Sequence, residues 1–142
     1  MRLIDTSVLI VAVNVEDARH DAARMFLERA LNEGSGVLIA PASFVGFVRQ
    51  VTRVVGGIPG LAVDEAFHVV ELLLGRPGVQ VAVPDERHFS RVRELLQSAG
   101  ASGKYVDDAH LAALALQYRA TIVTFDSDFA RFPDVKWERP AA

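Results

Sequence analysis

Residues 120–126 read Ala-Thr-Ile-Val-Thr-Phe-Asp, a run rich in β-branched residues that ends in a carboxylate. This composition is typical of a buried strand, and the aspartate marks the point where the strand ends. A similar pattern opens the chain, where residues 3–7 read Leu-Ile-Asp-Thr-Ser. Two apolar runs that each end in an aspartate therefore predict two strands with acidic residues at their carboxyl ends.

Further strands and helices alternate between these two runs and beyond them. Apolar residues with β-branched neighbours predict strands at residues 37–40, 79–83 and 135–138. Helical spacing of apolar positions, with Gly and Pro at the ends, predicts helices at residues 18–31, 41–55, 64–74, 84–98 and 107–118. Strands separated by helices pair in parallel through right-handed crossovers. We therefore expect an α/β fold, a three-layer α/β/α sandwich around a central, mostly parallel sheet.

The length and composition indicate one domain and narrow the possible chemistry. The 142 residues are 51% hydrophobic and include no cysteine, so disulfides, zinc fingers, iron–sulfur clusters and a cysteine nucleophile are excluded. No apolar run is long enough to cross a bilayer, and we expect a soluble, cytoplasmic protein with no membrane partner. A single domain is predicted over residues 1–142, with residues 139–142 as a frayed tail.

The net charge of −3 gives no sign of a large basic surface. It does not exclude a protein that acts on nucleic acid, because a bound divalent cation offsets the repulsion between carboxylates and phosphates.

Acidic residues follow both predicted strands, and two more lie at the start of a helix. Asp5 ends the first strand, Asp126 ends the strand near residue 125 with Asp128 close behind, and Asp107 and Asp108 open the helix between them. Ligands of parallel sheets bind beyond the carboxyl ends of the strands, where these residues would meet. Each alone is typical of a turn or a helix cap, and helical periodicity does not decide which of the neighbouring pair faces the site.

A hard divalent cation is the simplest reason for carboxylates to cluster. Carboxylates held together repel one another, and Mg²⁺ or Mn²⁺ prefers oxygen ligands of this kind. Such a cation lowers the pKa of a bound water and stabilises negative charge on phosphate. The arrangement indicates phosphodiester hydrolysis.

Three segments resemble the PIN-domain ribonucleases, specifically the VapC toxins of bacterial toxin–antitoxin pairs. They read Leu-Ile-Asp-Thr-Ser-Val-Leu at residues 3–9, Val-Asp-Asp-Ala-His-Leu-Ala-Ala-Leu-Ala at residues 106–115, and Thr-Ile-Val-Thr-Phe-Asp-Ser-Asp-Phe-Ala-Arg-Phe at residues 121–132. The resemblance spans nearly the whole chain. It implies a PIN-like fold and a metal-dependent endoribonuclease that cuts structured RNA such as tRNA or rRNA and is silenced by a cognate antitoxin.

The resemblance also implies roles for individual residues. The catalytic metal ligands would be Asp5, Asp108 and Asp126, with Asp128 as a helper and Asp107 as the helix cap. Hydroxyl groups that orient a carboxylate or a bound water would come from Thr6 or Ser7 and from Thr124. The cofactor would be Mg²⁺, with Mn²⁺ as the alternative ion. The apolar helices at residues 44–55 and 66–74 also offer a face for a homodimer.

One departure concerns Gly46, where the family usually carries a glutamate on the helix after the second strand. A glycine inside a helix costs about 1 kcal/mol relative to alanine, so it is not chosen for helix propensity. It would leave room for substrate or water and favours one metal ion over two. The alternative function is a catalytically weak protein that binds RNA or an antitoxin.

The remaining candidates are basic residues and one histidine. Arg49, Arg53 and Lys104 are candidates for phosphate contacts, with a solvated surface as the equal alternative. His110, two residues after Asp108, is expected in packing or on the surface. A receiver-like phosphoacceptor domain is a weaker alternative, because Asp5 has no acidic neighbour and residues 37–41 carry no phosphoacceptor.

Overall fold

The computed structural model describes residues 1–141 of the chain. Its five strands are β1 (Arg2–Ile4), β2 (Val37–Ile39), β3 (Val79–Val81), β4 (Thr121–Val123) and β5 (Trp137–Glu138). Its six α-helices are α1 (Thr6–Val13), α2 (His20–Asn32), α3 (Pro41–Thr52), α4 (Val63–Leu74), α5 (His88–Ala99) and α6 (Val106–Tyr118). Short 3₁₀ helices occupy Gly103–Tyr105 and Ser127–Arg131.

The sheet has the order β3-β2-β1-β4-β5, and every pair of neighbouring strands is parallel. The predicted α/β fold with a mostly parallel sheet is therefore confirmed. β1 is the central strand, and the chain first adds β2 and β3 on one side and then returns to add β4 and β5 on the other. The strand order thus reverses at β1.

Helices cover both faces of the sheet because neighbouring residues of the central strands point to opposite faces. Leu3 belongs to the apolar cluster formed with α5 and α6, whereas Ile4 belongs to the cluster formed with the first four helices. Leu3 and Ile4 are both fully buried. Two separate cores, one on each face, give the expected three layers.

The first strand passes into a helix without a connecting loop. Asp5 has an extended backbone and caps α1, its side chain accepting a hydrogen bond from the Thr6 amide. At the next strand, Pro41 takes the first position of α3, where a missing N–H breaks no helical hydrogen bond. Both helices therefore start directly at the carboxyl end of a strand.

The last strands are shorter than expected. β4 ends at Val123 rather than at residue 125, although the Thr124 amide still donates to the Glu138 carbonyl at 3.0 Å. In the segment predicted to fray, Pro140 is buried and Arg29 donates to the Ala141 carbonyl at 3.4 Å. Ala142, the end of that segment, lies outside the described residues.

The helices within residues 1–141 fall short of a membrane span in length and apolar character.

Candidate active site

The candidate site lies where two neighbouring central strands end. β1 and β4 run side by side with Ile4 opposite Val123, and the strand order reverses between them. Such a reversal opens a crevice at the carboxyl ends of the strands, which is the usual ligand site of open parallel sheets. Asp5 follows β1 directly, Asp126 follows β4 after a short turn, and both line this crevice.

Helix α6 supplies the third acidic position. Asp107 and Asp108 both lie in its first turn. One carboxylate oxygen from each of Asp108, Asp126 and Asp128 lies within 4.8 Å of the other two, and all three residues are half-buried. We call these residues the carboxylate trio. Neither Asp107, which is exposed, nor Asp5 belongs to the trio, although both line the cavity above it.

The expected capping role of Asp107 is wrong. Helix α6 begins at Val106, its N-cap residue is Tyr105, and no side chain caps it. The 3₁₀ helix immediately before α6 explains this, because it supplies the turn from which α6 continues.

Asp5 is held by hydrogen bonds to both of its carboxylate oxygens. Its Oδ1 accepts from the Thr6 amide at 2.8 Å. Its Oδ2 accepts from the hydroxyls of Thr124 at 2.7 Å and Ser7 at 3.1 Å. The Thr6 hydroxyl instead donates to the Ser43 carbonyl at 3.2 Å. The hydroxyl of Ser7 therefore orients a carboxylate, and the hydroxyl of Thr6 does not.

The turn after β4 is built by the same small set of polar groups. The Phe125 amide donates to Ser7 Oγ at 3.1 Å, and the Asp126 amide donates to Thr124 Oγ1 at 2.9 Å. Asp126 Oδ1 then accepts from the Asp128 amide at 2.8 Å. An aspartate that bonds the amide two residues later forms an Asx turn, which starts the 3₁₀ helix. The turn sets Asp126 and Asp128 beside Asp108.

The raised pKa values of Asp108 and Asp5 indicate that a nearby positive charge would stabilise these carboxylates. Burial raises the pKa of Asp108 to about 6, and the negative charges of Asp126, Asp5 and Asp128 contribute to this rise. Burial also raises the pKa of Asp5, although its hydrogen bonds oppose that rise. None of the ion pairs found within residues 1–141 involves these carboxylates. A hard divalent cation fits this donor set, because it takes carboxylate oxygens and relieves their repulsion.

A cavity of about 450 Å³ opens over these groups. Arg49 from α3 is exposed and lines the cavity, so one predicted phosphate-binding residue lies at the site. Arg53 follows the last residue of α3 and is absent from the cavity lining. Lys104 is also absent from the lining, and its ammonium lies 5.0 Å from the Tyr105 ring centroid.

Gly46 lines the cavity and lets two helices approach closely. A Cβ atom there would lie 3.2 Å from Thr6 Oγ1 and 3.3 Å from Thr6 Cγ2. Thr6 is itself held by its hydrogen bond to Ser43 on the same helix, α3. The glycine thus has a packing role between α1 and α3, which the sequence did not reveal.

His110, expected in packing or on the surface, packs against His88 and also lines the cavity, which the sequence did not predict. It is half-buried, lines the acidic cavity, and its Nδ1 lies 2.7 Å from Nε2 of His88. Its position two residues after Asp108 suggested a different side of the helix. Two features that helical periodicity does not show bring His110 to the site. The cavity is broad, and α5 packs against α6.

Comparisons with known proteins agree with this fold and this arrangement. The sequence profile of the PIN domain family matches residues 2–135. Ribonuclease VapC37 of Mycobacterium tuberculosis is 37% identical over 143 aligned positions, covering 100% of this chain and 99% of the relative. Ribonuclease VapC25 of the same organism is 33% identical, with 99% of each chain covered.

Solved structures with similar folds include VapBC2 of Rickettsia felis bound to a DNA fragment from its promoter. It aligns with a TM-score of 0.72 at 18% identity and covers 97% of each chain. VapC20 of Mycobacterium tuberculosis, described as a toxin that cleaves the sarcin–ricin loop, aligns with a TM-score of 0.66 at 20% identity. That alignment covers 92% of this chain and 93% of VapC20. From the profile match and the full-length relatives, the chain belongs to the PIN domain family and, within it, to the VapC ribonucleases.

Proposed function

We propose that this protein is an endoribonuclease that hydrolyses RNA phosphodiester bonds with a divalent cation, and that it is the toxin of a toxin–antitoxin pair. The carboxylate trio at the reversal of strand order is the observation that carries the proposal, since it groups hard oxygen ligands beside an open cavity. Membership of the VapC ribonucleases supports RNA as the substrate.

Asp108 and Asp126 are the proposed ligands from the trio, with Asp128 as a neighbouring ligand. Asp5, which lies outside the trio but lines the same cavity, is the third proposed ligand. Mg²⁺ is the expected ion, and Mn²⁺ is the alternative with the same preference for oxygen. When bound, the ion would activate water and neutralise negative charge on the phosphate that is attacked. Gly46 has no carboxylate to offer the cation, and the three carboxylates of the trio lie close together without a contribution from that position.

The protein groups around the ligands orient them. Hydroxyls of Ser7 and Thr124 hold one oxygen of Asp5, and the Thr6 amide holds the other. A carboxylate restrained in this way loses little conformational freedom when a ligand binds, which favours affinity. Arg49 is the side chain placed to contact an RNA phosphate at the rim of the cavity.

The decisive experiment compares purified wild-type protein with Asp126→Asn in RNA cleavage, with Mg²⁺ and with a chelator. We expect cleavage by the wild type with Mg²⁺ and loss of at least a hundredfold in the variant, because the carboxylate charge is removed while the side-chain shape is kept. Asp134→Asn is the matched control, since Asp134 is exposed and absent from the cavity lining. Full activity of Asp126→Asn, or equal cleavage in chelator, would contradict the proposal.

The same wild-type assay separates this proposal from the catalytically weak RNA- or antitoxin-binding protein. Binding of RNA without cleavage in Mg²⁺ or Mn²⁺ would favour that alternative. Introducing the glutamate as Gly46→Glu is a confounded test, because its Cβ would press on Thr6.

The RNA target is proposed to be of the tRNA or rRNA class, in the cytoplasm. Mapping of cleavage sites on total cellular RNA treated with the purified protein tests this. Sites in neither class would remove the assignment.

A cognate antitoxin is the proposed protein partner, covering the acidic crevice. Two structural neighbours are described as VapBC structures, from Rickettsia felis and Salmonella typhimurium, which supports a partner of this kind. A partner that co-purifies with the protein and suppresses its RNA cleavage would support the pair; a co-purified partner without effect on cleavage would contradict it.

A homodimer is the proposed oligomeric state, formed through the apolar surface of α3 and α4. Val45 is 63% exposed and Phe67 is 48% exposed. They share an apolar groove with Phe44, Val48 and Val70, and Arg49 also lines it. Sedimentation equilibrium of wild type and Val45→Glu tests the interface, with a dimer expected only for the wild type. A monomeric wild type would contradict it.

A further inference from the structure

A pair of histidines lies between α5 and α6, beside the acidic cavity. His88 is the first residue of α5 and is only 3% exposed. Its Nε2 lies 2.7 Å from Nδ1 of His110, and the two rings meet edge to face with centroids 4.7 Å apart. The other nitrogen of His88, Nδ1, is buried and has no hydrogen-bond partner within residues 1–141.

The two rings share one hydrogen bond between them, and its direction determines where the protons lie. A neutral imidazole has one N–H donor and one acceptor nitrogen, so one ring must donate and the other accept. Burial lowers the pKa of His88, and the neighbouring His110 acts in the same direction. His88 is therefore neutral at neutral pH. Its single N–H proton is on either Nδ1 or Nε2, so the hydrogen bond between the two rings has two possible directions.

The buried nitrogen of His88 decides between those directions. If His110 donated, His88 would carry its proton on Nδ1, as a buried N–H with no acceptor. If His88 donates from Nε2, its Nδ1 is a bare acceptor, and buried acceptors without partners are tolerated more often than buried N–H groups. The pair therefore adopts the second arrangement. His110 accepts at Nδ1 and carries its own proton on Nε2.

This arrangement makes His110 a fixed hydrogen-bond donor at the site. The residue lines the same cavity as Asp5, Asp108 and Asp126. His88 is bonded to Nδ1 of His110, so Nε2 of His110 is the ring nitrogen left for a ligand. No group within residues 1–141 is hydrogen-bonded to that Nε2. The cavity is also lined by four carboxylates, those of Asp5, Asp107, Asp108 and Asp126, which repel RNA phosphates. An N–H donor is the complement that a phosphate oxygen needs there.

We propose that His110 is an RNA-binding residue of the active site, whose Nε2–H donates a hydrogen bond to a backbone phosphate oxygen, and that His88 is the positioning residue that fixes its tautomer and orientation. The proposal rests on the proposed ribonuclease function for its substrate. It assigns a function to a residue pair that the carboxylate chemistry leaves unused. A contact to the backbone carries no sequence information, so it should hold for any RNA that enters the cavity.

The tautomers are tested directly by NMR of protein labelled with ¹⁵N-histidine, near neutral pH and without RNA. Two-bond couplings between ring nitrogens and carbon-bound protons report which nitrogen carries the proton. We expect Nε2–H on both His88 and His110. A proton on Nδ1 of His110 would overturn the proposal without any assay of activity.

RNA binding tests the donor. End-labelled bulk tRNA is titrated by fluorescence anisotropy into protein carrying Asp126→Asn, a background in which cleavage is expected to be absent. Adding His110→Ala should weaken binding about tenfold, which is typical of losing a hydrogen bond to a charged group. His110→Gln should recover most of the affinity because its amide N–H₂ reaches about as far as Nε2, whereas the shorter His110→Asn should not. His68→Ala, which removes an exposed histidine of α4, is the control and should bind normally.

Substitution of His88 tests its proposed positioning role, as distinct from a purely structural one. His88→Phe keeps a ring in the buried position and removes the hydrogen bond, so it should weaken tRNA binding while circular dichroism still reports a folded protein. Equal affinity of His110→Ala, His110→Gln and the Asp126→Asn background would overturn the proposal even if wild-type protein cleaves RNA. Conversely, weaker binding in His110→Ala together with no cleavage by the wild type counts against the ribonuclease function alone.

Discussion

Thr124 donates its hydroxyl hydrogen to Asp5 across 119 residues of sequence, with 2.7 Å between Thr124 Oγ1 and Asp5 Oδ2. The same hydroxyl oxygen accepts from the Asp126 amide at 2.9 Å. Thr124 is fully buried. One hydroxyl group therefore ties the end of β1 to the turn after β4 and determines how Asp5 faces the crevice.

Replacing this hydroxyl by a methyl group should impair the site without disturbing the core. We expect Thr124→Val to lower the rate of RNA cleavage by about tenfold to a hundredfold, the range seen when groups that orient metal ligands are removed. Thr124→Ser keeps the hydroxyl and should retain most of the activity. The assay is cleavage at varied Mg²⁺ concentration, with thermal unfolding as a check on the fold. Wild-type Mg²⁺ dependence in Thr124→Val would show that the hydroxyl does not position the ligands.

The packing of Gly46 against Thr6 predicts a stability effect that is separate from catalysis. Gly46→Ala should lower the free energy of unfolding by about 1 kcal/mol, because overpacking costs about 1–3 kcal/mol and the gain in helix propensity returns about 1 kcal/mol. Thr6→Ala removes the two atoms that the new Cβ would meet. Denaturant unfolding of the two single variants and the double variant should therefore give a favourable coupling. Additive free energies would show that the two residues are not in contact.

The raised pKa of Asp108 predicts how the metal-free protein responds to pH. Its folded-state pKa of about 6 lies above the ordinary aspartate pKa of 3.8, so the folded protein binds this proton more tightly than the unfolded chain does. The stabilising effect of that proton is fully present below the unfolded pKa and is lost as pH rises through the folded pKa. In chelator, Asp108→Asn should therefore raise the melting temperature at about pH 7.5 and lose this advantage toward about pH 4.

Thermal unfolding across this pH range is the measurement, and Asp134→Asn is the control because Asp134 is exposed and does not line the cavity. Equal effects of the two substitutions would show that the repulsion is not centred on Asp108. Adding Mg²⁺ near neutral pH should stabilise the wild type more than Asp108→Asn, since a ligand that binds only the folded state raises its stability.

Arg49 and Arg53 offer a matched pair for testing phosphate contacts. Only Arg49 lines the cavity, although the two residues lie one helical turn apart. We expect Arg49→Ala to raise KM for RNA by about threefold to tenfold with little change in kcat, an effect that shrinks as salt concentration rises. Arg53→Ala should change KM less. Steady-state cleavage at two salt concentrations distinguishes them, and equal effects would indicate a diffuse basic surface instead.

Much of the architecture could be predicted from the sequence because the signals were local. Short apolar runs that end in Asp5 or Asp126, separated by amphipathic helices, indicated parallel strands and acidic residues at one edge of the sheet. That inference needs only the alternation of side chains and the handedness of crossovers. The ends of strands were less predictable, since β4 stops at Val123 where the turn toward Asp126 begins.

Other features depended on how helices are rotated against the sheet, which the sequence does not report. The choice between Asp107 and Asp108 depends on the rotation of α6. The role of Gly46 depends on the approach of α1 to α3, and that of His110 on a histidine from α5. Each of these depends on how one element packs against another, not on the pattern within either. Local periodicity therefore predicts which helix carries a site residue but not what it touches.

Because β1 pairs directly with β4 while β2, β3 and all six helices lie between them in the chain, the crevice depends on one pairing between distant segments. Loss of β4 from the sheet would separate Asp5 from Thr124 and Asp126, although β1, β2 and β3 could remain paired. The acidic site is therefore only as durable as the pairing of β1 with β4.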